Sequence, residues 1–292
     1  MIHFVTRSFA TLLSLAMAGA AFAQTPVPEP VMFVGAGDIA SCYDDNDEAT
    51  ARLLDDIDGT VFTLGDNAYD RGTAKDYASC YAPTWGRHAE RTRPLPGNHD
   101  YYTPGAAPYF AYFGDAAGDP VRGYHAYDLG AWRIIALNTN CAEIGGCGEG
   151  SAQRAWLVAE LAAHPAQCTL AYGHHPHFSS GEHGDEAGLT AMWDVLDRSG
   201  VDVILGGHDH IYERFAPQDA WGNADPEGMR QFVVGTGGAP LYQLGPPHPN
   251  SEAGSDEAFG VLKLTLQADR YTWEFVPVEG GTFTDTGSAE CS

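Results

Sequence analysis

Five short stretches of this chain join glycine to side chains able to hold a cation or move a proton. They are Gly37-Asp38, Gly65-Asp-Asn-Ala-Tyr69, Gly97-Asn-His-Asp100, Gly173-His-His-Pro-His177 and Gly207-His-Asp-His210. Carboxylate, amide, phenol and imidazole donors suit hard-to-borderline cations such as iron, manganese and zinc. Singly, each stretch is a weak signal: a Gly-Asp pair is usually a turn, and a lone histidine is usually a core or surface residue. His208 and His210 stand two apart, so in an extended segment both rings reach one site. The first stretch has a competing reading, because Gly35-Ala-Gly37-Asp-Ile-Ala40 fits the dinucleotide loop G-x-G-x-x-A. That fingerprint wants an acidic ribose reader about 20 residues on. Asp66 lies further along, embedded in Gly-Asp-Asn, and a nucleotide loop leaves GNHD and GHDH unexplained. Asp38 therefore reads as a metal ligand, and a Rossmann oxidoreductase ranks last.

The elements that must position these residues alternate. Apolar or β-branched runs at 31–34, 60–64, 132–137, 169–172, 201–205 and 232–234 read as strands, with 93–96 weaker because proline is poor in a strand interior. Helical patterns cover 47–57, 152–163 and 186–199, with Ser151 as a cap for the second. Near the C-terminus, 261–266 and 271–276 read as an antiparallel hairpin. Alternation of strand and helix predicts an α/β fold. Each chemical stretch comes directly after a predicted strand, where glycine lets the chain turn sharply and the next side chain project. Ligands of open α/β sheets bind at that carboxyl edge. Too many donors converge there for one four-coordinate ion, so two metals bridged by a carboxylate are the economical arrangement. Such a pair suits in-line displacement at phosphate esters.

The whole chain sets bounds. Its 292 residues, 44% hydrophobic, suffice for one sizeable core. Residues 1–23 read as a secretory signal peptide, with Arg7, an apolar stretch and Ala21-Phe22-Ala23 as cleavage site. Residues 24–30 form a proline-rich linker and 31–292 the catalytic domain. No later apolar run reaches the length of about 18 residues that a membrane span needs. The product is expected in the periplasm or outside the cell. An even set of six cysteines in an exported chain predicts disulfides, and Cys141 with Cys147, across a turn-prone loop, is the pair best supported. Net charge is −24, one unit more negative once Arg7 leaves, which repels nucleic acid and other polyanions. The acidic run 44–48 lacks the spacing of a calcium loop and reads as a solvated helix start.

Across nearly the whole mature chain the sequence resembles the calcineurin-like metallophosphoesterases, specifically the purple acid phosphatase branch. The resemblance rests on Gly37-Asp38, GDNAY, GNHD, GHHP and GHDH. It implies a β-sandwich flanked by helices, with a dinuclear site at strand ends. Asp66 would bridge the metals. Asp38, Tyr69 and His210 would complete one shell, and Asn98, His174 and His208 the other. His99 would stand beside the leaving group, and His183 resembles a second histidine on the substrate side. Most members carry Asp-x-His in the first motif, whereas here that histidine is Ala40. Tyr69 is placed to replace it. A phenolate favours a trivalent ion, so the resemblance implies Fe(III) at the Tyr69 site and Fe(II), Zn or Mn at the other.

The implied chemistry is hydrolysis of a small phosphate monoester by metal-bound hydroxide, with His99 giving a proton to the leaving oxygen. Alternatives are a phosphodiesterase or nucleotidase on the same site and, more remotely, a non-catalytic metal- or phosphate-binding protein. His174 and His175 compete for the second metal, with His-x-Pro favouring His174 and with His175 and His177 pointing elsewhere. Asp100 and Asp209 are expected to orient imidazoles. Glu213-Arg214 either touches phosphate or forms a structural ion pair. Oligomeric state is open.

Overall fold

The computed structural model describes residues 1–4 and 28–292. The expected signal peptide, beyond its first four residues, and positions 24–27 of the linker lie outside the described residues. Among the described residues, no helix is long and apolar enough to cross a membrane.

Two sheets form the body. The first is six-stranded, in the order β13 (Thr286–Glu290), β12 (Arg270–Pro277), β11 (Gly260–Leu266), β1 (Val31–Ala36), β2 (Thr60–Thr63) and β3 (Thr92–Arg93). Here β1, β2 and β3 run parallel, and the expected C-terminal hairpin, β11 and β12, joins antiparallel on β1. The second sheet has seven strands: β10 (Ser251–Ser255), β8 (Tyr212–Phe215), β9 (Arg230–Val234), β7 (Val203–Gly206), β6 (Cys168–Tyr172), β5 (Trp132–Ala136) and β4 (His125–Leu129). Its centre, formed by β5, β6, β7 and β9, is parallel.

Strand alternation explains the layers. Ile134, Leu170, Val203 and Leu205 face the large core shared with Phe33, Leu264 and Phe275 of the other sheet. Their neighbours Ile135, Ala171 and Ile204 face the opposite way. That second face is covered by α5 (Ala152–Ala163) and α6 (Thr190–Arg198), through Leu157, Met192, Trp193 and Leu196. A parallel strand buried on both faces must be apolar throughout, which is why these runs are readable in the sequence.

The helices α1 (Asn46–Asp56), α2 (Ala74–Asp76), α3 (Asn98–Tyr101) and α4 (Ala107–Phe113) complete the chain. Ser151 caps α5 as expected, its hydroxyl accepting from Arg154 N at 3.3 Å. The helix expected over 186–199 starts later, at Thr190. Glu186 Oε1 accepts from Gly188 N at 2.9 Å and holds 187–189 as a 3-10 turn, a local side-chain competitor of the helix. All six cysteines pair: Cys141 with Cys147 as expected, Cys42 with Cys80, and Cys168 with Cys291.

Candidate metal centre

The five chemical stretches come after β1, β2, β3, β6 and β7, so three belong to one sheet and two to the other. The expectation of one open-sheet edge is thereby refined: the crevice lies where the carboxyl ends of two stacked sheets meet. Gly37 N donates to Val234 O at 2.8 Å and stitches β1 to β9 there. Among the described residues, three of the four non-glycine residues with positive φ stand in this crevice: Asp38 (59°), Asp66 (48°) and His208 (68°). Such backbone costs about 1–3 kcal/mol per residue and persists only where the surroundings enforce it. Gly97 is required by close approach, since a Cβ there would overlap the Asp66 carboxylate and amide.

One half of the centre gathers on the Tyr69 hydroxyl. It lies 3.0 Å from Asp38 Oδ1, 3.1 Å from Asp66 Oδ2 and 3.0 Å from His210 Nε2. The other half gathers on His174 Nε2, with Asn98 Oδ1 at 2.9 Å, His208 Nδ1 at 3.2 Å and Asp66 Oδ2 at 3.5 Å. Asp66 Oδ2 therefore belongs to both halves, the place of a bridging ligand. Its partner oxygen accepts from His99 N at 2.8 Å, and Asp38 Oδ2 accepts from His208 N at 2.8 Å. These amides set the carboxylates before any ion arrives.

The same contacts fix the tautomers. His174 Nδ1 donates to Leu64 O and His210 Nδ1 to Pro240 O, both at 2.7 Å. In the neutral rings each Nε2 is then a bare lone pair. His174 Nε2 faces Asn98 Oδ1 and Asp66 Oδ2, so with Asp66 ionised two acceptors meet a third and only His208 Nδ1 is left to offer a hydrogen. In the Tyr69 half, one phenol hydrogen serves Asp38, Asp66 and His210. A cation satisfies all of them, and the donor set fits two ions sharing Asp66. Burial lowers the His174 and His208 rings to about 3, keeping both neutral as ligation demands. Burial, then the Asp38 and Asp100 charges, raises Asp66 well above the carboxylate range. Burial opposes ionisation of Asp38 too, but contact with His210 Nε2 at 3.4 Å outweighs it and brings it down to about 2. Burial and then Asp38 and Asp66 raise the Tyr69 phenol well above its usual value.

Ala40, where the resemblance leads a histidine to be expected, is buried; its carbonyl accepts the Tyr69 amide at 2.8 Å. That bond delivers the phenol to the vacated corner.

His99 and His183 flank the donors. His99 Nδ1 donates to Asp70 O at 2.7 Å, leaving Nε2 toward the centre, 3.9 Å from Asp66 Oδ2. Its ring packs between Tyr69 and Tyr102, at 4.5 Å from each. His183 is exposed and stacks on His208 at 4.2 Å.

Several expectations need correction. Asp100 orients no imidazole: it accepts from Gly97 N (2.8 Å), Asn67 Nδ2 (3.0 Å) and the Tyr77 hydroxyl (2.6 Å), fixing the GNHD turn. Asp209 accepts from the Ser179 hydroxyl and the His183 amide, again no ring. Arg214 pairs with Asp285 and Glu252, and Glu213 accepts from Ser180, so this pair is structural. His175 does not point elsewhere. Its ring lies 4.4 Å from His208, and Thr139 holds it. The Thr139 hydroxyl accepts the amides of His174 (3.1 Å) and His175 (2.9 Å), so its hydrogen goes to His175 Nδ1 at 2.9 Å. His175 Nε2 then carries a hydrogen. His177 turns away, between the carbonyls of Glu186 and Ala220. Thr139, and Tyr242 stacked on His210 at 3.9 Å, escape a reading of the sequence because neither sits in a glycine-flanked motif.

The fold and these donors define a two-sheet α/β protein with a carboxylate- and imidazole-lined centre between its sheet ends. The chain belongs to the calcineurin-like phosphoesterase family, whose model matches residues 31–212. It is 26% identical to purple acid phosphatase 15 of Arabidopsis thaliana over 74% of this chain and 47% of that protein. The chain thus spans about half the length of that relative. In fold it is similar to the purple acid phosphatase PPD1 of yellow lupin, with TM-score 0.73 and 19% identity over 89% of this chain and 53% of that one. It is similar also to GAP50, the anchor in the inner membrane complex of Plasmodium, with TM-score 0.72 and 16% identity over 90% of this chain and 89% of that one. The resemblance to the purple acid phosphatase branch is thereby supported, and membership implies a dinuclear metal site.

Proposed function

We propose that this protein is an exported phosphatase that hydrolyses small phosphate monoesters at two metal ions. The carrying observation is the shared Asp66 Oδ2, within 3.1 Å of the Tyr69 oxygen and 3.5 Å of His174 Nε2. Asp38, Asp66, Tyr69 and His210 would hold one ion, with Fe(III) favoured by the phenol. Asp66, Asn98, His174 and His208 would hold the other, Fe(II), Zn or Mn. Such a pair, when bound, supplies Lewis acidity and a water of lowered pKa.

The rest is assigned to the chain's own residues. With Nδ1–H engaged by the Asp70 carbonyl, His99 gives or takes its proton at Nε2, on the face turned to the centre. Stacking between Tyr69 and Tyr102 restricts the ring, so little orientation remains to be fixed during reaction. His183, stacked on His208, stands where it can meet an oxygen of the substrate. The residue pattern of a cleavable leader and three disulfides among six cysteines support export.

One purification tests this reading: metal content by elemental analysis, with hydrolysis of 4-nitrophenyl phosphate and bis(4-nitrophenyl) phosphate over a range of pH. About two metals per chain and preferred cleavage of the monoester are expected. Preferred cleavage of the diester would make it a phosphodiesterase. Bound metal with neither ester cleaved would return it to a binding protein.

A further inference from the structure

A cavity of about 360 Å³ opens beside the centre. Asn98 and His175 line it beside the metal donors, Tyr101 and Tyr102 line it as well, and Glu143 and Glu186 are the acidic residues of its lining. Among the described residues no lysine or arginine lines it. Arg71 reaches the Tyr102 carbonyl at 3.3 Å and lies 5.9 Å from that ring, outside the cavity lining.

The cavity is placed for one part of a substrate. Tyr102 packs 4.5 Å from His99, the residue assigned to the leaving oxygen, so a group attached to that oxygen passes along the Tyr102 wall. The walls are fixed in advance. Asn138 Nδ2 donates to the Tyr101 hydroxyl at 2.8 Å, Gly188 N holds the Glu186 carboxylate at 2.9 Å, and the loop bearing Glu143 is closed by Cys141–Cys147. Aromatic rings and carboxylates facing one small space attract a cation. A second phosphate placed there meets two like charges and no counter-ion, inside a chain of net charge −24.

We propose, on the phosphatase reading given above, that this cavity is the leaving-group subsite and that it selects phosphate monoesters of cationic alcohols, of the amino- or ammonio-alcohol class, over anionic ones. The Tyr101–Tyr102 wall and the carboxylates of Glu143 and Glu186 receive the cationic head, while the ester oxygen stays at His99.

The test compares phosphocholine with 3,3-dimethylbutyl phosphate, which has the same shape but carbon in place of the charged nitrogen. Low ionic strength should give a kcat/KM ratio of about tenfold in favour of phosphocholine. In wild type, added salt should shrink that ratio, because the carboxylates are exposed to screening. The double variant Glu143→Gln, Glu186→Gln should bring it close to one. The salt series needs no variant and stands even if the double variant folds poorly. Equal use of both esters by the wild type, or a ratio moved by neither salt nor the variant, overturns the subsite and leaves the phosphatase reading intact. Hydrolysis of neither ester by metal-loaded protein that still cleaves 4-nitrophenyl phosphate overturns the subsite alone, and failure on 4-nitrophenyl phosphate as well overturns the phosphatase reading and the subsite with it.

Discussion

The Tyr69 hydroxyl lies 3.0 Å from Asp38 Oδ1, although the two residues are 31 positions apart. Their strands, β1 and β2, run parallel side by side, so the loops leaving both strands emerge at the same edge. Ala40 leaves a corner without an imidazole, and the phenol fills it. The pairing supports the proposal of a trivalent ion in this half of the centre.

Tyr69→Phe keeps the ring but removes the oxygen common to Asp38, Asp66 and His210. If Fe(III) is held there, the visible absorption of iron-loaded protein should vanish, and iron affinity should fall by about ten- to a hundredfold. Titration with iron, followed by absorption and elemental analysis, checks this. A variant that keeps both colour and iron would show that Tyr69 is only a packed aromatic.

His99→Ala should retain both metals, since no donor of either half is lost and the backbone amide to Asp66 remains. Turnover of an alkyl phosphate should drop by about 10²–10⁴, the usual worth of a positioned proton donor. The loss should be smaller for 4-nitrophenyl phosphate, whose leaving oxygen needs little protonation. An equal loss on both esters would remove His99 from the proton-transfer role.

Gly97→Ala places a methyl group against the Asp66 carboxylate and amide. Relief requires the GNHD turn to move, at a cost of about 1–3 kcal/mol. Thermal melting with and without metal should show a lower midpoint and a weaker response to metal. A parental melt with full metal response would mean that the turn yields freely.

Asp47 offers a pH test remote from the metal donors. Burial raises its carboxyl from 3.8 to about 6, with the Thr84 hydroxyl pulling the other way. The folded pKa exceeds the unfolded one, so the native state holds the proton longer. The contribution to stability is complete below about pH 4 and is lost as pH rises through about 6. Asp47→Asn can still accept from Thr84. It should match the parent near pH 4 and exceed it near pH 7, by on the order of 1–3 kcal/mol. Chemical denaturation at both pH values checks this, and a difference independent of pH would contradict it.

Much of the fold is legible in the sequence because burial imposes simple patterns. The central parallel strands, α5 with its Ser151 cap, and the β11–β12 hairpin each announce themselves through apolar runs or alternation. Strands β4, β8, β10 and β13 do not. Their sequences mix charged, small and polar residues: β10, Ser251-Glu-Ala-Gly-Ser255, is an edge strand held by its sheet partner, whereas β8, Tyr212-Glu-Arg-Phe215, is buried but interrupts its apolar ends with Glu213 and Arg214, which are paired to Ser180, Asp285 and Glu252.

For the centre, the sequence by itself determined the kinds of donor, since only certain residue types carry lone pairs suited to a metal, and it placed them after strands. Tertiary structure alone decided which atoms meet. It set Asp66 Oδ2 between the two halves, turned Asp100 and Asp209 to backbone amides, drew His175 to His208 through Thr139, and enclosed the acidic cavity. Those outcomes depend on the stacking of two sheets and on distances between loops remote in sequence, and no local spacing encodes them.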